Sequence, residues 1–179
     1  MSNILDILFA DENKTALQEV QKNFNLSEKD TRVAVEELIP ALSRGLQKNT
    51  QATPGMDDLL EALRTGKHTQ YMEKPSTLGS SETTRDGNDI LGHIFGSKDV
   101  SREVANRAAK QSGLSSTLLK KMLPVVATLV MGAMSKKVLG SGSTNRASSG
   151  GILSSLLDSD RDGSIWDDVL GMAARSMLR

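Results

Sequence analysis

The sequence of 179 residues contains no cysteine, which excludes disulfide bonds, thiolate zinc sites and cysteine nucleophiles. Aromatic residues make up only 3% of the chain. The core therefore has to be built from aliphatic side chains and methionine, and this composition favours helices over sheets. Net charge is missing too, because 22 basic residues balance 22 acidic ones. The chain therefore has no general attraction for nucleic acid or for an anionic membrane.

The N-terminal segment MSNILDILFADENK lacks the features of an export signal. Its apolar run is short, and acidic residues lie on both sides of the end of that run. A signal peptide instead has a basic start and a longer apolar region. We therefore expect a cytoplasmic protein.

The stretch from Leu114 to Val138 is the most apolar part of the chain. From Met122 to Met134 every residue is apolar, small or proline except Thr128, and a lysine pair flanks each end. A helix spans about 1.5 Å per residue, so residues 122–134 cover only about 20 Å of a hydrocarbon layer roughly 30 Å thick. We predict a buried central helix and no stable membrane insertion. Reversible membrane association through residues 122–134 is a weaker alternative.

Helical periodicity, helix caps and turn residues predict an all-α protein with two related helical hairpins packed around this central helix. Ser27 is a candidate N-cap, either Ser97 or Asp99 is another, and Asn25, Gly96 and Gly113 are candidate helix ends. The expected organisation has five parts: an N-terminal helical half (1–66), a polar linker (67–87), a C-terminal helical half with the buried helix (88–139), a Gly/Ser linker (140–151), and an acidic loop with a docked C-terminal helix (152–179).

The two halves share an order of landmarks: a Leu-Ser turn, then a long helix that contains proline followed by glycine. The matching positions are Leu26 and Leu114, Pro40 and Pro124, and Gly45 and Gly132. Duplication of a helical hairpin is one explanation. Convergence on ordinary helix-ending and helix-capping residues is the other, because the spacings are too unequal for a regular repeat.

Several long segments resemble the bacterial YidB-like family, known as domain of unknown function family 937. The resemblance rests on GNDILGHIFGSKDVSREVANRAAKQSGLSSTLLKKMLPVVATLVMGAM, on LLDSDRDGSIWDDVLGMA, and on the portion LSE…ELIPALSRGL…GMDDLLEALRTGKH. It covers most of the chain outside the predicted linkers. The resemblance implies an all-helical, cytoplasmic bacterial protein without an established activity.

The strongest candidate for chemistry is the segment DSDRDGSI at residues 158–165, which matches the first eight positions of a calcium-binding loop. The match fails at position twelve, where Val169 replaces the expected glutamate. A tentative calcium site uses five residues: Asp158, Asp160, Asp162, Ser164 and Asp168. Alternatively, Ser164 and Asp167 form a capping box, and the acidic residues stabilise the positive end of the last helix.

Two other features admit a functional interpretation. Asp89 precedes His93 by one helical turn, so the two can meet on one helix face, although an ordinary pair on the helix surface is the favoured interpretation. Thr128, Gly132 and Ser135 form a stripe of small side chains on the central helix. Either a neighbouring helix of the same chain covers this stripe, such as the long helix containing Gly45, or the stripe is a self-association face.

No nucleophile paired with a base can be identified, so the leading hypothesis is a non-enzymatic structural or protein-interaction module, with self-association included. A calcium-binding module is the alternative. The sequence implies no cofactor other than calcium, and it implies a protein partner or a second copy of the chain rather than nucleic acid.

Overall fold

The computed structural model describes residues 3–51, 53–142 and 146–158. These residues form an all-α structure, as predicted, with no strand in the described ranges. Short 3₁₀ turns at Asp11–Asn13 and Pro75–Gly79 accompany the α-helices. The helices are α1 (Ile4–Leu8), α2 (Lys14–Phe24), α3 (Glu28–Thr50), α4 (Thr53–Thr65), α5 (Gln70–Glu73), α6 (Ser81–Phe95), α7 (Lys98–Ser112), α8 (Ser116–Gly140) and α9 (Arg146–Asp158).

Serine side chains define the start of four helices. Each serine hydroxyl accepts a hydrogen bond from the backbone N–H three residues later, which satisfies a donor that has no partner within the helix. The four serines are Ser27, Ser80, Ser97 and Ser115. Left-handed residues end three helices: Asn25, Gly96 and Gly113. The predictions for Ser27, Ser97 and these three helix ends are confirmed.

Helix α8 is the centre of the fold, as its composition predicts. Every residue from Met122 to Ser135 is buried, whereas the lysine pairs at 120–121 and 136–137 are exposed. Each of the other eight helices in the described part of the chain contacts α8. Because burial of one large aliphatic side chain is worth roughly 1.5–3 kcal/mol, this helix contributes a large share of the core energy.

Within the described residues, α8 is the one helix that is long and apolar enough to cross a membrane. It contains 25 residues, with a mean hydropathy of 1.5 in its most apolar window. The whole helix is therefore longer than the apolar run at residues 122–134, which alone is too short to span the hydrocarbon layer. However, 83% of that window is buried inside the protein. An apolar helix whose surface is already covered by protein is typical of a core helix.

Glycine at position 87 allows α6 to lie directly against α8. A methyl group added at Gly87 would lie 2.7 Å from Cβ of Pro124, and nearer still to the backbone carbonyl of Pro124. Carbon atoms in favourable contact are about 3.5–4 Å apart. Position 87 therefore has room for a hydrogen atom but not for a methyl group.

The small-residue stripe on α8 is covered by the chain itself. A methyl group at Gly132 would lie 2.8 Å from the backbone oxygen of His68 and 3.0 Å from Cγ of Met72. Thr128 and Ser135 are fully buried. The Gly45 region of α3, suggested as the neighbour, does not cover Gly132, since Gly45 faces Ile94 and Phe95 of α6. The segment 68–72 covers Gly132.

The segment 67–87, for which composition predicts a linker, is folded. It contains α5, the 3₁₀ turn and the first turns of α6. Tyr71 is 2% exposed and Leu78 is 1% exposed, so both belong to the core. The hydroxyl of Thr83 donates to the backbone oxygen of Thr77 at 2.6 Å, which ties the turn to α6. Polar side chains here bond locally while two apolar ones anchor the segment.

The prediction of a Gly/Ser linker at 140–151 is also wrong for those residues of the range that the structure describes. Gly140 still belongs to α8, and α9 begins at Arg146. The cost of placing Gly150 and Gly151 in a helix is about 1 kcal/mol each. Burial of three leucines of α9, which packs on α3, α4 and α8, offsets that cost: Leu153, Leu156 and Leu157. The predicted acidic loop and C-terminal helix lie outside the described residues beyond Asp158.

Candidate functional site

A cavity of about 650 Å³ lies between the C-terminal end of α3, helix α4, helix α6 and the middle of α8. This volume is within the range of about 300–1,000 Å³ that is typical of small-molecule sites. In the described part of the chain, its lining consists of Leu46, Asn49, Gly55, Asp58, Leu59, Ala62, His68, Asp86, Asp89, Ile90, His93, Ile94 and Met131.

One face of α6 supplies the largest part of this lining. Its contributing residues are Asp86, Asp89, Ile90, His93 and Ile94. From one helical turn to the next, these residues are three or four positions apart, so they share one side of the helix. This side carries both polar and apolar residues. Ile90 and Ile94 are buried, whereas Asp89 and His93 are exposed. The cavity therefore has an apolar interior and a polar mouth.

The polar groups of the cavity carry an excess of acidic residues. Three aspartates line it: Asp58 from α4, and Asp86 and Asp89 from α6. Both histidines of the chain, His68 and His93, line it as well. No lysine or arginine occurs among the described lining residues. The carboxylates therefore have no permanent cation within the wall that the structure describes.

Tyr71 holds Asp86 in place from behind the cavity wall. The phenolic O–H of Tyr71 donates a hydrogen bond to Oδ2 of Asp86. Tyr71 is buried, and this burial, together with the neighbouring Asp86, raises the pKa of the phenol above its ordinary value. The phenol thus stays protonated as a donor. The carboxylate of Asp86 is fixed at the half-buried side of the cavity.

His68 lies next to this pair. Partial burial lowers the pKa of its imidazole, while the negative charge of Asp86 acts in the opposite direction. Because burial is the larger effect, the imidazole is mainly neutral at pH 7. It contributes a hydrogen-bonding group to the cavity rather than a positive charge.

Asn49 fixes the end of α6 beside the cavity mouth. Its side-chain nitrogen donates to the backbone oxygen of His93 at 2.6 Å and to that of Ile94 at 3.1 Å. The last carbonyls of a helix have no partner within the helix. Asn49 satisfies two of them and joins α3 to α6 across the cavity.

The structure gives mixed outcomes for the predicted site residues. Asp89 and His93 do lie on one face of α6, at the cavity mouth. His68 also lines the cavity, although it lies in the segment for which composition predicts a linker. For the α6 residues the sequence did offer a signal. Asp86, Asp89, Ile90 and His93 are spaced at the helical period, which indicates that they share one face of the helix.

In the part of the chain that the structure describes, no group of three or more His, Asp or Glu side chains is placed to hold a metal ion. These residues therefore contain no preformed metal centre. Of the five predicted calcium ligands, Asp158 is the last residue of α9. The other four, Asp160, Asp162, Ser164 and Asp168, lie outside the described residues.

Comparisons with known proteins complete this description. No curated protein and no solved structure matches the chain. A protein-family model described as "Bacterial protein of unknown function (DUF937)" matches residues 6–137, which include α8 as far as Lys137 and every described residue of the cavity lining. That match covers most of the sequence. The chain therefore belongs to this bacterial family of unknown function.

Proposed function

We propose that this chain is a non-enzymatic binding protein that receives an apolar group of its partner in the cavity between α3, α4, α6 and α8. The single observation that carries the proposal is the cavity itself, with its volume of about 650 Å³ and its mixed lining. Apolar interiors with a few convergent polar groups are characteristic of ligand sites. The interior supplies affinity by burial, and the polar mouth supplies orientation.

The absence of a recognisable nucleophile supports a binding role over catalysis. Among the cavity residues that the structure describes there is no serine, threonine or lysine, and the chain has no cysteine. Covalent catalysis depends most often on one of these groups next to an activating base. The carboxylates and imidazoles of the cavity are also ordinary recognition groups.

The cavity replaces the small-residue stripe as the basis for the interaction hypothesis. Gly132 is covered by His68 and Met72, so the stripe is not available to a second copy of the chain. Leu139 is the one large apolar side chain that is strongly exposed in the described ranges. A flat apolar surface for self-association, or for membrane association through residues 122–134, therefore has no support in these ranges.

A cavity-filling substitution tests the proposal directly. The probe is 4-phenylbutan-1-ol, an uncharged molecule with an apolar body. Binding is followed through the NMR signal of the Met131 methyl group, which lies in the cavity wall and is 4% exposed. We expect a saturable shift in the wild type and its loss in Ala62→Phe, because the added ring occupies the cavity.

The matched control is Glu61→Phe, which adds the same ring at an exposed position of α4 outside the cavity. This variant should bind the probe as the wild type does. The proposal is refuted if the Met131 signal does not respond in the wild type. It is also refuted if Ala62→Phe binds the probe as well as Glu61→Phe does.

A further inference from the structure

We propose that the ligand of this cavity is an organic cation, with an ammonium or guanidinium group held by the aspartates and a compact apolar body held by the interior. The inference rests on the proposed binding function and adds the chemical class of the ligand. It depends on the charge of the lining, whereas the binding function depends only on the cavity.

The first step concerns the three carboxylates. Asp58 and Asp89 are exposed at the mouth on the two helices that border it, and Asp86 is half-buried. The ion pairs found in the described part of the chain involve other residues, so none of the three aspartates has a protein cation within 4.0 Å there. A ligand cation would supply the missing positive charge and form charge-assisted hydrogen bonds.

The second step concerns the position of Asp86. Its Oδ2 accepts the hydrogen bond from the buried Tyr71, so the carboxylate is already oriented before any ligand arrives. Preorganisation lowers the entropy cost of binding. Tyr71 is therefore a positioning residue, because it acts on the ligand only through Asp86.

The third step concerns the apolar interior. The apolar part of the wall is formed by Leu46, Leu59, Ala62, Ile90, Ile94 and Met131. This surface does not suit a bare inorganic cation, which would lose its hydration without gaining ligands. It suits a hydrocarbon body attached to the charged group. A charged head at the mouth and an apolar body inside match the distribution of polar and apolar residues.

Three probes with the same body but different head groups test the inference. They are 4-phenylbutylammonium, 4-phenylbutan-1-ol and 4-phenylbutyrate, titrated into the full-length protein at pH 7 with the Met131 methyl signal as readout. We expect the cation to bind about tenfold more tightly than the alcohol, and the anion more weakly than either. The preference for the cation should decrease as salt is raised, because salt screens the charges at the mouth.

Substitutions then locate the source of the preference. The double variant Asp58→Asn/Asp89→Asn should abolish the preference, so that the cation and the alcohol bind with similar affinity. Both positions are exposed, so folding should be preserved. The control is Asp57→Asn, an exposed neighbour on α4 outside the described lining, which should keep the preference. Tyr71→Phe should lower the affinity for the cation alone.

The possible failures are distinguishable. Equal binding of all three probes, abolished by Ala62→Phe, would overturn the cation inference and leave the binding function intact. A preference for the alcohol or the anion would do the same. A preference for the cation that survives in the double aspartate variant would also refute the assignment. If none of the probes binds, both the inference and the proposed function fail.

Discussion

Two alanine substitutions in the same helix should have opposite effects on stability. Gly87 and Gly92 both lie in α6, so both carry the same penalty for glycine in a helix, about 0.5–1 kcal/mol relative to alanine. At Gly92 nothing lies within 4 Å of an added methyl group. Gly92→Ala should therefore raise the free energy of unfolding by about 0.5–1 kcal/mol.

At Gly87 the packing term has the opposite sign and is larger. The added methyl group would meet Pro124 at 2.7 Å from its Cβ, and its backbone carbonyl more closely still. Backbone in the middle of the most buried helix cannot rotate away, so α6 would have to move by about 1 Å to reach ordinary contact distances. Inserting a methyl group into a packed core costs about 1–3 kcal/mol. After subtraction of the propensity gain, Gly87→Ala should lower the free energy of unfolding by about 1–2 kcal/mol.

The assay is urea unfolding followed by circular dichroism at 222 nm for the wild type and the two variants. The m-value should stay constant, so that a change in midpoint reports stability. In thermal unfolding, 1 kcal/mol corresponds to about 2–4 °C for a chain of this size. If Gly87→Ala is as stable as Gly92→Ala, the close approach of α6 to α8 is incorrect.

Three further predictions concern Tyr71, Asn49 and the predicted calcium site. Tyr71→Phe removes the donor to Asp86 and should cost about 1–2 kcal/mol near neutral pH. Because the pKa of Tyr71 is raised in the folded state, its contribution is complete below pH 10 and is lost above it. The wild type should thus lose up to about 1.4 kcal/mol per pH unit relative to the variant in urea titrations above pH 10, and absorbance at 295 nm reports this single tyrosine directly. Asn49→Ala should lower the free energy of unfolding by about 0.5–1.5 kcal/mol and speed amide hydrogen exchange at the end of α6. A substitution at a surface position whose side chain contacts no carbonyl should do neither. The calcium hypothesis predicts saturable heat in a calcium titration of the wild type and none in Asp160→Ala/Asp162→Ala; equal traces would refute it.

The sequence predicts the parts of the fold that depend on local chemistry. A serine followed by a helical pattern, as at Ser27 and Ser97, specifies a helix start because the hydroxyl satisfies a nearby donor. The run from Met122 to Met134 specifies burial because no side of that helix can face water. Helix class and the central element follow from these signals. The relation between the two hairpins does not follow, and the proposed duplication stays a prediction.

The folded state of residues 67–87 is not predictable in this way. Tyr71 and Leu78 lie in a segment that is mostly polar, and their burial depends on surfaces supplied by distant helices. The cavity has the same difficulty. The spacing of Asp86, Asp89 and His93 shows that they share a helix face, but only the tertiary arrangement brings Asp58 and His68 opposite them.

The central position of α8 has a consequence for synthesis of the chain. Helix α1 ends at Leu8 and packs against α8, which begins only at Ser116. A ribosome adds about 5–20 residues per second, so the inner face of α1 waits roughly 5–20 seconds for its main partner to be made. During that interval the apolar faces of the first seven helices lack the helix that covers them all. Newly made chains are therefore exposed to aggregation and to chaperone binding until α8 leaves the ribosome, and a chain interrupted before Ser116 would keep those faces uncovered.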